Sequence, residues 1–207
     1  MSSVNTEKTR RMVGLSILTA LVIVLQFVAE YIKVGATPIT LTLVPIVVGS
    51  ALYGVRGGAW LGGVFGVVVW LMSIANIDPT GALLWNLNPF LTTVICIGKG
   101  ALAGLAAAGT SEELMDKYLE TMELSAEEIY GALGTGIVSP IVNTGLFIVG
   151  VYVFFNDTLV SWTNGTAMLP FIIFTLVGFN FLVELTLNIV LSSVIERIIN
   201  YRVRALA

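Results

Sequence analysis

The sequence contains six apolar runs, each about as long as a membrane-spanning helix, separated by short polar or glycine-rich stretches. A helix needs roughly 20 apolar residues to cross a hydrocarbon core about 30 Å thick. Only 11% of the residues are charged and 57% are hydrophobic, whereas soluble domains carry about 25% charged residues. The runs therefore predict an all-α integral membrane protein, a single domain over residues 1–207 with six transmembrane helices.

The predicted helices follow one another with little intervening sequence. After a polar N-terminus at residues 1–11, they cover about residues 12–32, 39–53, 58–75, 89–108, 129–155 and 168–199. Residues 76–88 and 155–166 are predicted polar loops, and Pro140 is a predicted kink in the fifth helix. Residues 110–128 carry seven carboxylates. Their apolar spacing predicts an amphipathic helix at the membrane surface between the fourth and fifth helices.

The second and third helices are joined by a turn at residues 54–57 that is too tight for anything but antiparallel packing. Gly54, Gly58, Gly62 and Gly66 recur at intervals of four. One helical face therefore carries hardly any side chain, and neighbouring backbones can approach closely there. The pattern fits two interpretations, ordinary close packing of membrane helices or a surface along which helices slide or tilt.

The orientation is predicted from the basic residues, because Lys and Arg are enriched in cytoplasmic loops. With the N-terminus inside, Lys33 faces outwards and eight basic residues face the cytoplasm. These eight are Lys8, Arg10, Arg11, Arg56, Lys117, Arg197, Arg202 and Arg204. Both termini and the acidic segment 110–128 are therefore predicted to be cytoplasmic, with three polar loops on the outer face.

The residue types present argue against an enzyme. The chain has no histidine and one cysteine, Cys96, which excludes acid–base chemistry, metal ligation and haem ligation by His, as well as an internal disulfide. An intramembrane serine hydrolase would need a histidine, and an aspartyl type would need two aspartates at membrane depth, where this sequence has none. No catalytic residue, metal site or cofactor is expected.

Two charged residues lie within predicted membrane helices. A charge at the bilayer centre costs about 2.5–3.5 kcal/mol, so such residues are candidates for function. Lys99 lies near the middle of helix 4, and Glu184 shares one face of helix 6 with Asn180 and Asn188. The two charges could form a structural pair, or they could line a polar ligand cavity in which Lys99 is available to an anionic group.

Further polar side chains are candidates for the same cavity. Asn143 and Thr144 follow Pro140 in helix 5. Trp85 lies beside Asn86 and Asn88 in an outer loop, where an aromatic ring next to amides suits a small polar ligand with an apolar body. Packing within the bundle and interfacial anchoring of Trp85 are the alternative explanations.

Several short motifs follow one another between about residues 9 and 200. A small-residue first helix is followed by LVPIVVGSALYGVRGGAWLGGVFG, NPFL, GKGALAGL, SPIVNTGLF and NFLVELTLNIVLSS. In this order and spacing they resemble the substrate-binding S component of energy-coupling factor (ECF) vitamin transporters. The last two motifs most resemble the pantothenate-type members.

The resemblance implies a six-helix protein of the prokaryotic plasma membrane that binds a vitamin from outside. Pantothenate is the preferred ligand, with pyridoxine, riboflavin or folate as alternatives. It also implies three partners, namely a transmembrane coupling subunit and two ATPase subunits, because the S component has no ATPase of its own. The usual docking face in the family corresponds to Ser16 and Ala20 on helix 1. No nucleic-acid partner is expected.

Two other classes of protein are considered. A stand-alone proton-coupled secondary transporter would use Lys99 and Glu184 for coupling, although the sequence shows no convincing internal repeat of the kind such folds contain. A purely structural subunit would not require polar groups to converge beneath the outer loops.

Overall fold

The computed structural model describes residues 2–34, 37–38, 40–121, 126–163, 165, 167–172, 178 and 181–190, with the backbone alone for 2–5, 7, 33–34, 37–38, 111–121, 126–135 and 169. The regular elements among these residues are helices and one small antiparallel hairpin. The elements are α1 (Ser2–Ala29), β1 (Lys33–Val34), β2 (Thr37–Pro38), α2 (Leu43–Ile74), α3 (Pro79–Leu87), α4 (Pro89–Thr121), α5 (Ala126–Phe154), α6 (Asn156–Trp162), α7 (Met168–Phe171) and α8 (Phe181–Val190).

Within the described residues, 4 helical stretches are long and apolar enough to cross a membrane. They are Lys8–Ala29, Leu43–Ile74, Pro89–Thr110 and Gly136–Phe154. The shorter α8 is also apolar. The predicted helical membrane fold is confirmed at this level.

The long helix α2 bends back on itself at Gly54. This residue has φ 67° and ψ −162°, a backbone conformation that favours glycine. A Cβ added to Gly58 would lie 2.5 Å from Ser50 Oγ, and Gly49 faces the side chain of Leu61. In a straight helix Gly49 and Leu61 would be about 18 Å apart. The two limbs of α2, residues 43–53 and 55–74, therefore pack side by side, as the predicted turn requires.

The glycine face of the second limb packs directly on α4. A Cβ added to Gly66 would lie 2.6 Å from the carbonyl oxygen of Cys96, and one added to Gly100 would lie 2.5 Å from that of Gly62. Gly58 meets Gly104 in the same way. Because this face is already filled by the α4 backbone, the structure favours the close-packing interpretation over the sliding surface.

Two hydrophobic clusters flank this contact. The first joins α1, both limbs of α2 and α4, and comprises Val22, Leu43, Ile46, Leu61, Phe65, Val69 and Cys96. The second joins α3, α4, α5 and α6 with Ile172, and comprises Leu84, Ile95, Val151, Phe155, Leu159 and Ile172. The helix α1 is also tied to α2 by a hydrogen bond from Trp60 Nε1 to Thr19 Oγ1 of 3.1 Å.

Two predicted polar loops contain short helices instead. The loop at 76–88 includes α3, and the loop at 155–166 includes α6. Asp78 caps α3 by accepting a hydrogen bond from Thr80 N at 3.1 Å, and Pro79 occupies its first turn. Asp followed by Pro is a helix-start signal. The sequence analysis treated these residues as turn formers only.

The boundaries of the later helices also differ from the prediction. The helix α4 continues to Thr121, so residues 110–121 extend the fourth helix, and α5 begins at Ala126. Pro140 lies inside α5. Within the predicted sixth helix, α7 and α8 are helical and Gly178 has φ 54°; residues 173–177 and 179–180 of that predicted helix lie outside the described residues. Its predicted end at residues 191–199 lies outside the described residues.

The contact between α2 and α4 predicts that substitution by alanine affects stability differently at two neighbouring glycines. The change Gly62→Ala places Cβ against the carbonyl oxygen of Gly100, whereas Gly63 has nothing within 4 Å. We expect Gly62→Ala to lower the free energy of unfolding by about 1–3 kcal/mol. Gly63→Ala is the matched control and should leave stability unchanged or raise it by up to about 1 kcal/mol. Equal thermal midpoints of the two variants in detergent would contradict the packing described.

Candidate functional site

Lys99 projects between two aromatic rings. Its Nζ lies 5.9 Å from the ring centroid of Phe65 on α2 and 5.1 Å from that of Phe147 on α5. Ring faces attract a cation at these distances. Within the part of the chain that the structure describes, Lys99 forms no hydrogen bond or ion pair. The half-buried ammonium group is therefore positioned to receive an anionic group.

Glu184 on α8 is bonded to the segment that precedes α2. The backbone N–H of Thr40 donates to Glu184 Oε1 at 2.6 Å, and the side chain is only 5% exposed. The described residues contain no salt bridge between Glu184 and Lys99. Asn188, on the same face, donates from Nδ2 to the backbone oxygen of Glu184 at 2.8 Å. The direct structural pair considered above is thus not formed.

The connection between α1 and α2 is held in place at a second point. Thr42 Oγ1 donates to Gln26 Oε1 at 2.7 Å, and both side chains are buried. Together with the bond from Thr40 to Glu184, this contact ties the connection to α1 and to α8. The segment that carries Thr40 is therefore held against Glu184.

One face of α5 brings polar atoms towards the same region. Ser139, Asn143 and Phe147 follow each other at intervals of four and share that face. Asn143 is 5% exposed, and neither its buried Oδ1 nor the buried Ser139 Oγ has a hydrogen-bond partner among the described residues. A buried polar atom left unpaired costs about 1–3 kcal/mol. Asn143 Oδ1 is therefore a candidate acceptor for a ligand, one turn away from the ring that contacts Lys99. Thr144 is half-buried on the adjacent face.

The outer residues predicted for the site have other partners in this structure. The Trp85 ring meets Trp70 edge-on, with centroids 6.1 Å apart. Asn88 Oδ1 accepts a hydrogen bond from Leu91 N at 3.1 Å and so caps α4. Asn86 is exposed on α3. The structure does not bring these three residues into contact with Lys99.

Three further residues were predicted, one as a ligand contact and two as docking residues. Asn180 lies outside the described residues. Ser16 and Ala20 are exposed on α1, where Ser16 Oγ donates to the backbone oxygen of Met12 within the same helix. Their small side chains lie on a helix surface that the rest of the described chain leaves uncovered.

The sequence analysis missed the residues that surround Lys99 and Glu184. Phe65 and Phe147 resemble any other aromatic residue of an apolar run, so no sequence signal distinguished them. Gln26 did carry a signal, because an amide within an apolar helix needs a partner.

The arrangement suits binding rather than bond-breaking chemistry. A cation between aromatic faces, a carboxylate and a buried amide oxygen can hold an organic anion that also carries hydrogen-bond donors. Within the described residues, no group of three or more His, Cys, Asp or Glu side chains could hold a metal ion.

Comparison with known proteins places the chain in a family. Residues 10–196 match the family described as ECF transporter, substrate-specific component. The chain is also 27% identical over 184 residues to the pantothenic acid transporter PanT of Lactococcus lactis subsp. cremoris (strain MG1363), which covers 87% of this chain and 89% of that relative. No solved structure matches the chain. Since the family match extends over most of its length, the protein belongs to the substrate-specific components of ECF transporters.

Proposed function

We propose that this protein is the S component that binds a water-soluble vitamin, preferably pantothenate, for uptake by an ECF transporter. The observation that carries the proposal is the ammonium group of Lys99, which lies between Phe65 and Phe147 without an anionic partner among the described residues. A charge at membrane depth costs about 2.5–3.5 kcal/mol, and an anionic ligand would offset that cost. Membership of the family and the similarity to a pantothenic acid transporter support the ligand class.

Pantothenate matches these side chains in its chemistry. It carries a carboxylate at one end, an amide and hydroxyl groups along the chain, and apolar methyl groups. We assign the carboxylate to Lys99, the apolar part to the rings of Phe65 and Phe147, and a hydroxyl or amide N–H to Asn143 Oδ1. Pyridoxine and riboflavin have no carboxylate, so they would leave Lys99 without an anion. Folate has carboxylates but is much larger.

The proposal also gives a role to the other residues predicted for the ligand site. Glu184 would orient ligand donors indirectly, through the segment that it holds at Thr40. The other candidate ligand contacts are Thr144, Asn180, Trp85, Asn86 and Asn88.

The proposal includes a topology and a set of partners. It places six transmembrane helices in the prokaryotic plasma membrane, with both termini and the segment 110–128 in the cytoplasm. A transmembrane coupling subunit would dock at Ser16 and Ala20, and two separate ATPase subunits would hydrolyse ATP. The exposure of these two small residues on α1 supports that docking face.

Direct binding tests the vitamin. Purified protein is titrated with pantothenate, pyridoxine, riboflavin, folate and thiamine by isothermal calorimetry. We expect measurable heat and the highest affinity for pantothenate, because it alone combines one carboxylate with a short hydroxylated chain. If no vitamin binds, substrate capture is refuted, whereas tighter binding of another vitamin refutes only the preference.

The role of Lys99 is tested with a pair of ligands and a pair of variants. Panthenol replaces the carboxylate of pantothenate with an alcohol, so the wild type should prefer pantothenate by roughly 10- to 100-fold, the range expected for a hydrogen bond to a charged group. Lys99→Gln should bind the two ligands about equally. The same change at Lys8, exposed near the start of α1, is the control and should keep the wild-type preference. A preference that survives in Lys99→Gln would remove Lys99 from the carboxylate site.

Removing one asparagine side chain is expected to reduce the affinity for pantothenate less than removing the charge of Lys99. Asn143→Ala and Asn180→Ala should each weaken pantothenate binding by about 2- to 10-fold, the effect of one hydrogen bond, with an unchanged thermal midpoint in the absence of ligand. Thr93→Ala is a suitable control, since Thr93 Oγ1 donates only to the backbone oxygen of Pro89 in its own helix. Wild-type affinity in both asparagine variants would exclude them from the site.

Uptake into proteoliposomes tests the coupling. With the coupling subunit and both ATPases present, Ser16→Leu combined with Ala20→Leu should abolish ATP-dependent uptake and leave ligand affinity unchanged, because bulk is added only to the docking face. Leu21→Phe, at an exposed position on a different side of α1, should transport normally. Uptake that persists without any ATPase subunit and follows a proton gradient would instead support the stand-alone proton-coupled transporter, which the charges of Lys99 and Glu184 would serve.

A further inference from the structure

Four basic side chains gather where α1 begins and where α2 bends. They are Lys8, Arg10, Arg11 and Arg56, all of them exposed. We call this group the basic corner. It has no part in the ligand site described above, which lies around Lys99 on the other side of the glycine contact.

The basic corner is fixed to the folded chain. Arg11 Nη2 donates a hydrogen bond to the backbone oxygen of Tyr53 at 2.9 Å. The Tyr53 ring packs on Gly14, where an added Cβ would lie 2.9 Å from Tyr53 Cζ. Gly54 then bends α2, and Arg56 follows two residues later. The start of α1 therefore lies against the bend of α2, and both segments carry basic residues.

The charges of the basic corner are not neutralised by the described residues. None of the four cations forms a salt bridge with a carboxylate in the part of the chain that the structure describes. Arg56 also makes no hydrogen bond there. The described residues do not offset the repulsion among these positive charges. A bound anion would offset it, so the basic corner is a candidate site for an anion.

An apolar surface continues directly from the basic corner. Met12 is 62% exposed and Ile17 is 63% exposed on α1. Cations at the end of an exposed apolar helix surface lie where lipid headgroups meet hydrocarbon. A phospholipid carries a phosphate and acyl chains in one molecule, so it can cover both the cations and the apolar side chains. An acidic protein surface would satisfy the cations and leave the apolar side chains unmatched.

We propose that the basic corner binds the phosphate of an anionic phospholipid, with Arg11 and Arg56 as its main contacts. Guanidinium groups pair with phosphate oxygens through two parallel hydrogen bonds. Lys8 and Arg10 add attraction to the negatively charged membrane surface. The acyl chains of the lipid lie along Met12 and Ile17.

The test uses the full-length protein in detergent and native mass spectrometry, with dioleoylphosphatidylglycerol as the anionic lipid and dioleoylphosphatidylcholine as the comparison. We expect the wild type to retain phosphatidylglycerol preferentially. The variant R11Q/R56Q should bind it roughly 10- to 30-fold more weakly, as expected for the loss of two cations near a membrane surface. R11K/R56K keeps the charge without the paired hydrogen bonds and should lose less.

The matched control is R202Q/R204Q, which removes the same charge from the C-terminal tail and should change the affinity by less than about twofold. Because Arg11 also bonds to Tyr53 O, thermal midpoints are compared, and R56Q alone replaces the double variant if that variant unfolds. Equal retention of both lipids by the wild type, an equal effect of the control, or unchanged binding in R11Q/R56Q or R56Q would overturn the proposal. Unchanged lipid binding with weakened capture of the coupling subunit would overturn it in favour of a protein partner.

Discussion

The close approach of two backbones, on α2 and α4, determines the geometry of the candidate site. Gly62 and Gly66 lie against Gly100 and Cys96. Phe65 falls between the first two residues in the chain, and Lys99 falls between the last two. Because no side chain separates the helices, the ammonium group on one helix can reach the ring on the other. A bulkier residue at any of these glycines would push Phe65 away from Lys99.

The sequence was informative about classes of residue and less informative about their partners. Apolar runs and glycine spacing predicted a helical membrane fold and a tight reversal at residues 54–57, and they left close packing and sliding open as interpretations of the glycine face. The cost of charge in a membrane singled out Lys99, which lies near two aromatic rings, and Glu184, which is buried and hydrogen-bonded; their part in ligand binding stays a prediction. Periodicity places a residue on a helix face, but it does not say which distant helix covers that face. The pairing of Lys99 with Phe65 and Phe147 could therefore not be predicted.

The other differences arose where local signals compete. Asp78-Pro79 can be interpreted as a turn or as a helix start, and the structure uses the pair to begin α3, whereas α4 begins at Pro89 as predicted. Residues 110–121 are polar enough to suggest a separate surface helix, yet nothing in their sequence breaks the hydrogen bonding of α4. Membership of the ECF substrate-specific components gives this helical scaffold a transport role as a multi-pass membrane protein, not an enzymatic one.

The continuity of α4 has a mechanical consequence. Lys99 and the end of the helix at Thr121 belong to one uninterrupted rod, and the 22 residues between them span about 33 Å at 1.5 Å per residue. A tilt of roughly 5° about Lys99 would displace the far end by about 3 Å. A small tilt of α4 at Lys99 would therefore move its end at Thr121 by about the length of a hydrogen bond. The helix itself would transmit this movement, without a relay of side-chain contacts.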